Sequence, residues 1–438
     1  MWKRILKPSF IIFVSALIIM VCYVVTLLVL PGRITLLIGE DYTLSFKSPL
    51  FLQAYSKSQI LKIHDNSDKN ITAFRKPYYT LLATEEGQAE LYLRIFGIIP
   101  VKTVQVRSIV NQQVIACGSP IGIKLKTNGI IVINISGVIL DDGNRVSPAE
   151  TAGLLTGDVL LKAGGQNLSS IRDLLDVVEK SAGKPINVSY KRQDIQYNTT
   201  ITPIKSGEDQ QYRVGIWVRD SSAGIGTLTY IDPANKVYGA LGHGINDIDT
   251  GAILQVGSGQ LMISNIEGIK KGIKGSPGEL EGEFLTKPRI IGDIELNCDF
   301  GIFGKLNIDP KKEKLGRSLQ IGSHSTVHVG KASILACIRD NIVEEYEIEI
   351  QRIAKIDLSS TKNIVIRIID QRLLDSTGGI VQGMSGSPIL QDGHLIGAVT
   401  HVFINDPVRG YGVFIESMLD KSNMLGRGTA SLNQAAGQ

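Results

Sequence analysis

Gly378-Gly379-Ile380-Val381-Gln382-Gly383-Met384-Ser385-Gly386-Ser387-Pro388, followed at once by Ile389-Leu390, sets a serine between glycines at the mouth of an apolar strand. Glycine lacks a Cβ, so the backbone there can turn tightly and aim successive N–H groups to one side. The N–H groups of Gly383 and Ser385 are then candidates for an oxyanion hole, the donor pair that acyl transfer to a hydroxyl requires. Downstream, Asp392-Gly393 closes a hairpin, and Gly397-Ala398-Val399-Thr400-His401-Val402 returns as a strand able to hold an extended substrate backbone.

Working back along the chain, Gly226-Thr227-Leu228-Thr229-Tyr230-Ile231 and Val237-Tyr238-Gly239-Ala240-Leu241-Gly242-His243 flank the turn Asp232-Pro233-Ala234-Asn235. His243 thus emerges at a strand end, where an imidazole that titrates near neutrality could take a proton from Ser385. A third member, a carboxylate, would fix the histidine tautomer and stabilise the imidazolium; Asp370, Asp375, Asp247 and Asp249 compete for the role on sequence alone.

Gly383-Met384-Ser385-Gly386-Ser387-Pro388 resembles the nucleophile motif of chymotrypsin-like serine proteases, with Met384 where activatable digestive enzymes carry aspartate, so activation through a buried ion pair to a new amino terminus is not expected. The longer run Leu373-Leu374-Asp375-Ser376-Thr377 through Pro388, then Gly397 to Phe403, Asn405-Asp406-Pro407 and Gly410-Tyr411-Gly412-Val413, resembles the stage IV sporulation protein B peptidase family. That resemblance implies Asp370, fifteen residues before Ser385, as the catalytic aspartate, giving the order His243, Asp370, Ser385. It also implies a peptidase of endospore-forming bacteria that cleaves itself near its amino end and cuts a membrane-tethered regulator of sigma factor processing between the two spore membranes.

A second unit precedes these motifs. Ser147-Pro148-Ala149-Glu150 starts a short helix with a capping serine and proline at its first position, and Gly153 can end it. Ile171, Leu174, Leu175 and Val178 make an apolar helical stripe closed by Gly183-Lys184-Pro185. The run from Ser147 to Asp158 resembles the PDZ signature of bacterial envelope proteases, and Ser119-Pro120-Ile121-Gly122-Ile123 resembles that family's carboxylate-binding loop. On that resemblance Ile121, Gly122 and Ile123 would receive a peptide C-terminus, beside a groove along the helix at 170–181.

Residues 9–30 carry no charge, and a helix over 10–30 would span roughly 30 Å, enough to cross a bilayer. Lys3, Arg4 and Lys7 would keep the amino end cytosolic, and Leu28-Val29-Leu30-Pro31 lacks small residues for cleavage, so an uncleaved anchor with an exported body is expected. Of 46 Lys+Arg and 42 Asp+Glu, the tip takes three basic residues, leaving 43 against 42 and no general nucleic-acid footprint. Hydrophobic residues at 43% and charged ones at 20% exclude wholesale disorder. Outside the span, Cys117, Cys298 and Cys337 read as thiols in apolar strands. His324 and His328 read as an exposed pair with no partner to complete a metal site, and residues 270–278 as a mobile basic loop.

The chain is therefore expected to be mainly β, with a transmembrane anchor (1–32), an N-terminal region with an exposed self-cleavable segment (33–108, the polar stretch 56–75), a PDZ domain (109–206, an α+β partly open barrel), a chymotrypsin-like double β-barrel (207–428) and a tail (429–438). No cofactor or metal is called for. Its partners would be protein and peptide substrates, itself included, and the membrane, with the body at the forespore inner membrane facing the intermembrane space until self-cleavage releases it. The competing reading is an envelope scaffold whose PDZ domain captures peptide ends beside an inactive barrel.

Overall fold

The computed structural model describes residues 8–45, 48, 50–66, 78–193, 195–283, 289–354 and 360–435. Helix α1 (Pro8–Val29) contains no charged side chain, and its segment Phe10–Val29 has a mean hydropathy of 2.9. At about 1.5 Å per residue it is long enough for one membrane crossing, consistent with a single-pass anchor. Its orphan carbonyls are met from the folded body: Lys102 Nζ donates to Leu27 O at 3.3 Å and to Leu30 O at 2.7 Å.

The chain next builds two small sheets. Arg33–Leu37 lies parallel to Ile99–Ile109, which pairs with Gly87–Ile95 and through it with Leu52–Tyr55. Asp41–Ser45, Tyr78–Ala83 and Leu61–Asp65 form the second, and both sheets share a core that includes Leu36, Leu52, Leu81 and Leu91. The polar stretch expected to be a cleavable connection contributes strand Leu61–Asp65; its part from 67 onward lies outside the described residues.

Two long strands organise the remainder. β1 (Pro120–Ile135) and β2 (Ile216–Asp232) pair from Thr227↔Pro120 to Ile216↔Ile135, so one ribbon runs through two units. Its inner half combines with β3 (Val237–Ala240), β4 (Val256–Ile263), β5 (Ile290–Cys298) and β6 (Gly301–Leu306). The order β1-β4-β5-β6-β3-β2 closes into a ring because β2 also pairs with β1. Ile121, Ile123, Leu228, Tyr238, Leu261 and Ile302 fill this ring. A second closed barrel follows from β7 (Gly330–Cys337), β8 (Val343–Ile353), β9 (Ile364–Ile368), β10 (Pro388–Gln391), β11 (His394–Phe403) and β12 (Asp406–Phe414). Tyr230, Phe303, Leu335 and Val413 pack between the barrels with Met418 and Leu419 of the C-terminal helix (Ile415–Ala435).

The outer half of the ribbon carries the capped helices. Ser147 accepts from the Glu150 N–H, and Ser170 and Asp173 form a reciprocal capping box at the start of α2 (Ile171–Lys180). The buried face of α2 is Leu174, Val177 and Val178. Leu175, expected in the stripe, is 56% exposed, because Val177, three residues after Leu174, occupies the face it was assigned.

The assignment of Ile121, Gly122 and Ile123 to a PDZ carboxylate-binding loop is corrected by the fold. They lie within β1 of the first barrel, paired on one side with Gly226, Ile225 and Gly224 and on the other with Ile263, Met262 and Leu261. Their N–H groups serve two ladders, and Ile121 and Ile123 are 1% and 3% exposed, so neither edge nor side chain is open to a ligand. Alternation of burial in β1 is barrel alternation, which the apparent loop sequence disguised. The residue facing α2 comes instead from β2: Asp220 Oδ2 accepts the Ile171 N–H at 2.9 Å.

Candidate active site

Ser385 stands on the turn that leads into β10, and this turn is fastened from two directions. From the first barrel, Thr227 Oγ1 donates to Gly383 O at 2.7 Å, Thr227 N to Ser385 O at 2.9 Å, and Thr229 Oγ1 to Gly386 O at 2.7 Å. From the hairpin Asn265–Lys270 and Glu279–Glu283, inserted between β4 and β5, Gln382 N donates to Gly278 O and Leu280 N to Gln382 O, at 2.8 and 2.9 Å. The expected mobile loop 270–278 is therefore a packed part of the site: Gly272 N and Gly275 N also donate to Thr377 O and Ile404 O.

These bonds set the direction of the peptide planes. The Gln382 carbonyl is turned to Leu280, so in a trans peptide the Gly383 N–H faces the opposite way. Among the described residues, neither Gly383 N nor Ser385 N donates to a protein acceptor. Gly383 takes φ of +95° and Gly386 φ of +98°, values open to glycine at little cost. Met384 is fully buried in the second barrel's core, in keeping with an apolar residue where an ion pair is not formed.

His243 follows β3 and lines the same cavity as Ser385, a cleft of about 960 Å³ between the barrels. Ser385 Oγ donates to Thr400 O at 2.8 Å, and the next residue, His401, has its ring 4.9 Å from that of His243. His243 Nδ1 lies 2.8 Å from Gly244 O; with Nδ1 as the donor, Nε2 keeps its lone pair. Burial holds His243 below its ordinary value, partly opposed by the Gly244 carbonyl. Burial, then the His243 and Lys362 charges, push His401 down to about 4. Both imidazoles are thus biased towards the neutral form, the form a proton acceptor needs.

The structure brings together Ser385, His243 and the two candidate oxyanion donors; it does not bring Asp370 to them. Asp370 caps α3 (Gln371–Thr377), its Oδ1 accepting from Arg372 N and Nε and its Oδ2 from Arg372 Nη2 and Glu347 N. The Arg372 guanidinium holds its carboxyl below the usual range. The cavity meets the opposite end of β9, where residues 360–362 line it and Thr361 O accepts from Thr400 Oγ1 at 3.1 Å. At about 3.3 Å per residue, Asp370 lies roughly 20 Å further along that strand. The resemblance placed it at the end of this strand and fifteen residues before Ser385, and neither position reveals which end of the strand meets the cleft.

The other candidates are also accounted for. Asp247 and Asp249 bind Arg219 at 2.6 and 2.7 Å, and Asp375 lies within α3, its carboxylate accepting from Gln371. His324 is buried against Glu416, with Nδ1 3.0 Å from Oε2, so the expected exposed pair with His328 is corrected; His328 is exposed and meets Asp392. Among the described residues no group of three or more His, Cys, Asp or Glu side chains is placed to hold a metal ion. Cys117, Cys298 and Cys337 are free thiols; burial raises all three, Cys337 to about 11.

Residues 210–419 match the family model "SpoIVB peptidase S55", and residues 142–192 match that of a PDZ domain. Strand β1 of the first barrel precedes both matches. An 89-residue stretch is 35% identical to a Bartonella henselae protein named "Putative zinc metalloprotease", covering 20% of this chain and 24% of that one. A Treponema pallidum protein of the same description is 30% identical over 105 residues, 24% of this chain and 23% of that one. The chain thus spans about a quarter of the length of these curated relatives. Among solved structures, the PDZ domain of an SdrC-like protein from Listeria monocytogenes aligns at 21% identity and a TM-score of 0.17, over 21% of this chain and 87% of that domain. A thermostable serine protease from an extremophilic microorganism aligns at 11% identity and a TM-score of 0.28, over 46% of this chain and 92% of that enzyme.

Proposed function

We infer that this chain, whose residues 210–419 match the SpoIVB peptidase S55 family and 142–192 a PDZ domain, is a serine peptidase that cuts peptide bonds by acyl transfer to Ser385, with His243 as general base. The observation that carries the assignment is one cleft that holds the Ser385 hydroxyl, the His243 ring and two unclaimed N–H donors. As Ser385 Oγ bonds to the substrate carbonyl carbon, its proton passes to His243 Nε2 and the carbonyl oxygen becomes an oxyanion facing Gly383 N and Ser385 N. Collapse breaks the C–N bond, and the proton on Nε2 leaves with the amine. Water then attacks the acyl-enzyme, giving its proton to His243, and Ser385 recovers that proton as the acid departs. For the first step the hydroxyl turns from Thr400 O towards His243.

The finer reading draws on the family resemblance. The protein would act during endospore formation, anchored by α1 in the forespore membrane with its body in the intermembrane space. It would cleave itself near the amino end and cut a membrane-tethered regulator of sigma factor processing, while its PDZ domain captures peptide segments of these substrates. To test the chemistry, full-length protein in detergent is treated with a fluorophosphonate and the adduct mapped. Labelling at Ser385, lost in Ser385→Ala together with peptide hydrolysis, is the expected result; unchanged hydrolysis in Ser385→Ala refutes the assignment.

A further inference from the structure

The hairpin that joins Gly87–Ile95 to Ile99–Ile109 turns through a run without charge, Ile95-Phe96-Gly97-Ile98-Ile99-Pro100-Val101. At its tip Phe96 is 68% and Ile98 78% exposed, and Ile99 is exposed with them. Phe51, also exposed, stacks its ring on that of Phe96 at 6.2 Å, and its carbonyl accepts the Phe96 N–H at 3.4 Å. Bulky apolar side chains gathered on a surface mark a place of contact. Ile98 N donates to Ile95 O at 3.1 Å and Pro100 has no N–H, so these backbone groups do not call for water.

This patch is tied to the last two turns of α1. Thr26 is fully buried, with its Oγ1 2.8 Å from Ser48 Oγ; Ser48 Oγ accepts the Leu50 N–H at 3.0 Å, and Phe51 follows. Tyr23 packs against the core that holds Leu52 and Ile95, and Lys102, on the hairpin's second strand, caps the helix carbonyls. That strand also sets the direction. It runs from the tip past Lys102 to Gln105, whose N–H meets Gly32 O at 3.0 Å, and from there lies parallel to Arg33–Leu37. The chain that leaves α1 therefore runs away from the helix in company with this strand, and the tip points back towards α1. At the level of Thr26 the free face of the helix, with Val24, Val25, Leu28 and Val29, is exposed within the apolar segment Phe10–Val29. Lipid that covers this face meets the tip as well. Further from the tip, Tyr55 and Tyr92 stack at 5.2 Å and the Arg94 guanidinium lies 4.6 Å over Tyr55, side chains suited to the headgroup region.

We propose that the tip Phe96-Gly97-Ile98-Ile99, with Phe51, is immersed in the lipid leaflet beside α1, so that the body rests on the bilayer at two points and does not swing freely about Pro31-Gly32. The proposal rests on the reading of α1 as a membrane span. Its test places the full-length protein in vesicles of phosphatidylethanolamine and phosphatidylglycerol, with the photoreactive residue p-benzoylphenylalanine replacing Phe96, Val21 of α1, or Ile342, an exposed apolar residue of the second barrel. After illumination the adducts are identified by mass spectrometry, and an unchanged thermal midpoint shows that each variant is folded. Lipid adducts from the Phe96 and Val21 positions, and none from Ile342, are the expected result. Adding Ile98→Asp and Ile99→Asp is expected to abolish the adduct at the Phe96 position and to leave that at Val21. A lipid adduct at Val21 alone, a covalent dimer of the chain through the Phe96 position, or equal labelling at Ile342 would overturn the proposal. So would a Phe96-position adduct that survives the two aspartates, because it would show proximity without insertion. No lipid adduct at Val21 would fell the underlying reading of α1 itself.

Discussion

Replacing Thr227 by valine separates what holds the oxyanion hole from what forms it. The hydroxyl donates at 2.7 Å to Gly383 O in a fully buried setting, and the substitution keeps shape while deleting the donor. A buried carbonyl left without its partner costs about 1–3 kcal/mol. In a domain of 150–250 residues each kcal/mol moves the thermal midpoint by roughly 2–4 °C, so a fall of about 2–12 °C is expected. The same bond fixes the peptide plane one residue after the Gly383 N–H. If that N–H swings out of line, loss of one oxyanion donor costs on the order of 10²- to 10³-fold in kcat. The assay pairs unfolding curves with kcat on a small activated ester, and Thr227→Ser, which restores the donor, should recover both. A destabilised Thr227→Val with wild-type kcat would refute the argument that this bond orients the hole.

Three further outcomes follow from the geometry. Gly386→Ala should abolish folding of the Ser385 turn, because its Cβ would lie 2.2 Å from Thr227 O and 2.6 Å from Leu241 N; a wild-type fluorophosphonate labelling rate would contradict this. Burial holds His243 below its ordinary 6.5, so the folded chain binds fewer protons there than the unfolded chain. Its contribution to stability is full above about pH 6.5 and fades as pH falls through the lowered value; the acid limb of kcat/KM should likewise lie below 6.5, which a pH-rate profile checks. Ile121→Ala should cost about 2–5 kcal/mol of stability by opening a void in the first barrel, read by denaturant unfolding; a stable variant that merely loses peptide binding would return this segment to the PDZ domain.

What could be seen in the sequence was local chemistry. Ser147 announces its helix because caps are made within four residues, the charge-free run of α1 is read from composition, and the Ser385 turn is written in its glycines. What stayed hidden depends on distant pairing. Residues 119–123 look like a ligand loop next to a PDZ signature, and only the ladder to β2 and β4 shows that they begin a barrel which the PDZ domain interrupts. His324 and Glu416 lie 92 residues apart, and no spacing rule joins them. Asp370 shows the converse: a fixed interval from the nucleophile suggested proximity, whereas helix α3 follows it directly and its carboxylate is taken up by Arg372 and Glu347 N.

The shared ribbon also dictates where this molecule can be cut. Trimming at residues 109–206 would take a stave out of the first barrel and expose the sheet edges of β2 and β4. Thr127 Oγ1, however, donates to Asp220 O at 3.1 Å, and Lys126 faces Ser221, so the two crossing points are already neighbours. A tight turn spliced there would seal the barrel after excision of the inserted domain, yielding a core peptidase in which processing of tethered substrates and turnover of small esters can be weighed apart.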